Sequence, residues 1–139
     1  MVLLGYPNGD PEMSNESLIA KYIGRRLGCI TPFMLSRIIG LAEAYYLQDH
    51  GERLTGLKYV CALGTFYIED FEEIISECFE RNREKHCLEY KCGETTLPDN
   101  IRVYVDRAIN DLIGKDLEEI NRLVLENKYF QKLCGGVIQ

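Results

Sequence analysis

Apolar positions along the chain recur mostly at spacings of three and four, the period of helices packed on a core, with two short runs of strand character between them. Ser14 is placed as the N-cap of a helix running to about Leu27, in which Leu18, Ile19, Tyr22 and Ile23 form one buried stripe. Gly28 ends it, and Thr31-Pro32 restarts the chain as an N-cap followed by proline at the first helical position. The second helix continues to about Gln48 with Met34, Leu35, Ile38, Ile39, Leu41, Ala42 and Tyr45 inward, and Asp49-His50-Gly51 closes it. Leu57 to Leu63 is rich in β-favouring residues and stops at Gly64, which predicts a strand. The spacing of Phe71, Ile74, Ile75, Cys78 and Phe79 predicts a third helix over Ile68 to Asn82. A second short strand, Cys87 to Lys91, is expected to pair with the first as a ribbon. Leu97-Pro98 opens a fourth helix to about Ile113, carrying Ile101, Val105, Ala108, Ile109 and Leu112. Asp116 with Glu119 makes a capping-box start for a fifth, which holds Leu117, Ile120, Leu123 and Val124. A last turn runs from Tyr129 to Leu133 ahead of Gly135-Gly136.

The expected fold is therefore mainly α: a compact domain of about five helices over residues 14–139 with a small two-stranded β ribbon, preceded by an extended leader at 1–13 where Pro7, Gly9 and Pro11 fall. Two helices separated by a short break also resemble a helix-turn-helix, so a winged-helix arrangement is one form this fold can take.

Composition narrows the class. At 139 residues, 46% hydrophobic and 27% charged, the chain reads as one soluble globular domain. No apolar run approaches the ~18 residues of a membrane span. The start lacks a basic segment ahead of its short apolar stretch, so no secretory signal is expected and a cytoplasmic location follows. The net charge of −6 is spread along the chain without a basic arm or acidic tail, which disfavours wholesale binding to a phosphate backbone.

Six cysteines stand at 29, 61, 78, 87, 92 and 134. For a cytosolic chain the expectation is reduced thiols in the core, with Cys78 on an apolar helix face. Cys87 and Cys92 bracket a short extended run beside His86, a spacing at the long end for zinc, but a second matching pair is missing; a local disulfide is the better alternative.

The usual catalytic signatures are absent: no Walker loop, dinucleotide glycine fingerprint, HExxH or nucleophile elbow. His50 follows a helix beside Gly51 and reads as a capping or solvated residue; His86 falls in a charged loop. Glu69, Asp70, Glu72 and Glu73 crowd a helix start, where the macrodipole favours them without catalysis. No catalytic residue, metal or cofactor is expected. Tyr45 and Tyr46 are adjacent and cannot share one helix face; the plainer reading has both flanking the core edge with their hydroxyls in water, and the sharper one makes an exposed tyrosine an aromatic anchor for a partner. For nucleic acid, the second helix would have to read bases with Ser36, Arg37 and Gln48, a thin set, while Arg81, Arg83 and Lys85 are better placed for phosphates.

The stretch Ile30-Thr31-Pro32-Phe33-Met34-Leu35-Ser36-Arg37-Ile38-Ile39-Gly40-Leu41-Ala42 resembles the opening motif of the Panacea domain, the SocA-like antitoxin family. Glu52 to Val60, behind Gly51, is similar to that family's following loop, and Leu117 to Val124, Tyr129 and Gly135-Gly136-Val137-Ile138 resemble its closing helix and glycine-isoleucine finish. The likeness spans most of 16–139. Thr65 follows Gly64 where the family has proline, and Gly40 stands where it commonly has an aromatic residue. The resemblance implies a cytoplasmic, non-catalytic interaction domain, an antitoxin that holds a toxin or an adaptor for proteolysis. The contact residues expected on that basis are Arg37, Tyr46, Tyr59, Thr65, Phe66 and Tyr67; the alternative is a winged-helix regulator binding DNA through Arg81, Arg83 and Lys85.

Overall fold

Pro32–His50 forms the axis of the molecule. Every residue from Leu35 to Ala44 is buried, so this helix is enclosed on all sides rather than laid on a surface. The computed structural model describes residues 14–134; the expected leader at 1–13 and the Gly135-Gly136 finish lie outside them. In chain order the elements are α1 (Asn15–Leu27), β1 (Cys29–Ile30), α2 (Pro32–His50), β2 (Tyr59–Ala62), β3 (Thr65–Ile68), α3 (Phe71–Ile74), β4 (Phe79–Asn82), β5 (Cys87–Tyr90), α4 (Asp99–Leu112), α5 (Leu117–Leu125) and α6 (Lys128–Leu133). Helix α2 packs against α1, α4, α5 and α6 around one continuous apolar core.

The helix starts are set by side chains that satisfy the first free backbone donors. The amides of Ser17, Met34 and Glu119 donate to Ser14 Oγ, Thr31 Oγ1 and Asp116 Oδ1. At Gly40 a methyl group would stand 2.9 Å from the Phe130 ring, so the missing side chain on α2 is where α6 delivers its aromatic residue.

The mainly α expectation is corrected. The described residues form a mixed α/β structure with six helices and two antiparallel sheets, one three-stranded in the order β1-β5-β4 and one a β2-β3 hairpin. The helix expected over Ile68 to Asn82 survives only as the four residues of α3, flanked by two strands. Its apolar spacing suits a helix, but Asp70 and Cys78 both adopt positive φ (60° and 67°) and break it at either end. The strand expected at Leu57 to Leu63 pairs with Thr65–Ile68 and not with the second strand, because the chain reverses at Leu63-Gly64. The winged-helix form is corrected as well: a recognition helix needs one open face, and the body of α2 has none.

The cysteines are the largest departure from expectation. All six are paired, as Cys29–Cys87, Cys61–Cys134 and Cys78–Cys92, with Cα separations of 5.6, 5.7 and 5.1 Å. The expected reduced thiols are absent, and Cys87 and Cys92 take different partners instead of each other. No helix among the described residues is long and apolar enough to cross a membrane.

Candidate protein-interaction site

The β2-β3 hairpin has two unlike faces. Tyr59, Cys61, Phe66 and Ile68 are buried, whereas Ala62, Thr65 and Tyr67 are exposed, as the two-residue period of a half-buried strand pair requires. Leu63 and Gly64 join the strands with φ of 57° and 76°, the paired positive values of a type I′ turn. That turn ordinarily carries Asn, Asp or Gly. A leucine there pays about 1 kcal/mol for its left-handed backbone, and Leu63 is also 98% exposed.

The turn is held firmly from below. Tyr59, Phe66 and Phe130 form an aromatic cluster, with Phe66 and Phe130 centroids 4.6 Å apart. Above it the Arg37 guanidinium lies between the rings of Phe33 and Phe66, at 4.1 and 4.0 Å. Arg37 Nη2 donates to Thr65 Oγ1 and to Asn121 Oδ1, both at 2.7 Å, and Nη1 donates to Ser36 Oγ at 2.9 Å. Asn121 Nδ2 in turn donates to the Gly64 carbonyl at 2.8 Å, which ties α5 to the turn. Burial lowers the Arg37 pKa to about 10. Leu117, 62% exposed, sits one helical turn before Asn121 on the same face of α5. The Cys61–Cys134 bond fastens β2 to the end of α6. The hairpin is thus tied to α2, α5 and the end of α6, with Leu63 and Tyr67 exposed on its outside.

The loop leading into the hairpin is organised by Glu43, which is fully buried on α2. Its carboxylate accepts from Arg53 Nε (2.8 Å) and Nη2 (3.2 Å), the amides of Leu54 (2.8 Å) and Thr55 (3.0 Å), Thr55 Oγ1 (2.5 Å) and Tyr59 Oη (2.9 Å). Burial alone would push this carboxyl up. The hydrogen bonds from Arg53 and Thr55, with the Arg53 charge, outweigh it and hold the group below the ordinary carboxylate range. Both oxygens are fully engaged, so Glu43 is a structural anchor and not an available base.

The six expected contact residues separate into three groups. Thr65 and Tyr67 lie on the outer face of the hairpin, Tyr67 at 61% exposure. Arg37, Tyr59 and Phe66 are buried beneath it and set its position. Tyr46 lies nine residues beyond Arg37 along α2, roughly 13 Å away, where its ring stacks on His50 at 4.1 Å and meets Tyr104 edge-on. Arg81 is exposed on β4, where it pairs with Glu72 at 2.8 Å, and Arg83 and Lys85 are exposed in the β4-β5 turn. Sequence reasoning passed over Leu63, Leu117 and Asn121. Two β-rich runs separated by two residues ending in glycine were the available signal for the hairpin.

Among the described residues no group of three or more His, Cys, Asp or Glu side chains is arranged to hold a metal ion. No family model, curated protein or solved structure matches the chain.

Proposed function

We propose that this chain is a non-catalytic protein-interaction domain that captures a partner protein on the outer face of the β2-β3 hairpin, as an antitoxin holds a toxin or an adaptor presents a protein for proteolysis. Leu63 carries the reading. It is strained and almost wholly exposed, so it contributes nothing to folding that asparagine would not supply better. Tyr67 is exposed on the same hairpin and Leu117 on the face of α5 that carries Asn121, and the base of Arg37, Asn121 and Phe66 keeps the ordering cost of binding small. The expected cytoplasmic location accords with three disulfides in one setting, the cytosol of a hyperthermophile; elsewhere such bonds persist in oxidising compartments.

The test compares the tagged protein with Leu63→Asn in a pull-down from source cells, with and without nuclease. Asparagine tolerates the left-handed backbone, so the variant should be more stable by about 1 kcal/mol, read as a thermal midpoint raised by about 3 °C. It should also lose a stoichiometric protein partner that the parent retains through nuclease and high salt. Equal capture by both forms would discard the hairpin as the interface. Recovery of nucleic acid, sensitive to salt and to neutralisation of Arg81, Arg83 and Lys85, would favour the DNA-binding alternative.

A further inference from the structure

Residues 71–82 carry two competing instructions. Phe71, Ile74, Ile75, Cys78 and Phe79 recur at the spacing of one helical face, acidic residues crowd the front (Glu69, Asp70, Glu72, Glu73), and at the rear Arg81, Arg83 and Lys85 outnumber Glu80 and Glu84, a balance that favours a single helix. Glu77 and Arg81 add an i,i+4 pair in the better orientation. Yet α3 stops at Ile74 and the chain re-forms as β4, whose Phe-Glu-Arg-Asn composition is poor for a strand and which occupies a sheet edge.

What holds the strand form is concentrated at Cys78. This residue takes φ of 67°, its carbonyl accepts from the Lys91 amide at 2.7 Å, and its sulfur is bonded to Cys92 just beyond β5. Next to it, Phe79 fills the space left at Gly24 and meets Tyr90 edge-on at 5.7 Å. Cys92 is exposed and Cys78 half-buried, whereas Cys61 and Cys134 are both buried.

We propose that the Cys78–Cys92 bond is a redox latch: closed, it keeps residues 75–82 in turn and strand; opened, it lets α3 run on through them as one helix. A dithiol reductant opens it by thiol–disulfide exchange, its thiolate attacking one sulfur to give a mixed disulfide that its second thiol resolves. The reductant leaves as a disulfide having given two electrons and two protons, and Cys78 and Cys92 become thiols. The loop closed by the bond is only 14 residues long, so the two sulfurs stay close and the latch can shut again on oxidation.

The experiment titrates the native protein with dithiothreitol, maps the opened bonds by alkylation and mass spectrometry, and follows Cα chemical shifts of residues 71–82. Cys78–Cys92 should open before Cys61–Cys134, and about eight residues, 75–82, should move to helical shifts. Cys78→Ser/Cys92→Ser should show the same shifts without reductant, and Ser76→Gly in that background should draw them back, because glycine penalises helix. Extended shifts persisting after the bond opens, opening of Cys61–Cys134 first, or general loss of resonance dispersion would each overturn the latch.

Discussion

Glu43 illustrates how one side chain replaces a regular element. The loop between α2 and β2 has no secondary structure of its own, and its amides and hydroxyls converge on a single carboxylate. Because the folded-state pKa lies below the unfolded one, the stabilisation is complete above the ordinary carboxylate value of 4.5 and is lost as pH falls through the depressed folded value. Glu43→Gln removes the charge and one acceptor oxygen. It should cost about 3 kcal/mol at pH 7, and urea unfolding from pH 7 to pH 3 should show a shallower acid decline than in the parent.

At the scale of elements, three of the four helices with side-chain caps were legible in the sequence: Ser14, Thr31 and Asp116 each mark a start within a residue of where the chain turns helical, whereas the Asn127 cap of α6 was missed. The segment from Gly64 to Asn82 was not legible. A local pattern cannot register that residues 59–62 and 65–68 face each other, nor that a bond from Cys78 to Cys92 overrides a helical spacing. Of the residues expected to make contact, the sequence alone does not say which face outward. Thr65 and Tyr67 fall within a β-rich run, but which of Tyr59, Phe66 and Tyr67 points outward depends on register, and the inward turn of Arg37 depends on Phe33, Phe66 and Asn121 meeting around it. Asn121 is the joint between α5 and the hairpin. Asn121→Ala leaves Arg37 without its main acceptor and frees the Gly64 carbonyl, so it should cost about 2 kcal/mol and speed hydrogen exchange at the hairpin amides while the α4 amides stay protected.

For the molecule as a whole, three cross-links join elements that the hydrophobic core already gathers. They fasten β1 to β5, β2 to α6, and the start of β4 to the segment after β5, so both sheets and the last helix are covalently tied. The resulting stability includes a contribution from restricting the unfolded chain, on the order of 4 kcal/mol for the longest loop alone. The net charge of −6 acts at this scale too, adding a repulsion between copies of the chain.

The spans of Cys29–Cys87 and Cys61–Cys134 overlap, and together they cover every peptide bond from Cys29 to Cys134. Cutting the backbone once anywhere in that interval therefore yields no separate fragments. A protease that nicks the exposed β4-β5 turn should leave one band on a non-reducing gel and two after reduction. Such a molecule outlives its first cleavage: the broken chain is still a single connected body, and its apolar hairpin stays attached to the helices that position it.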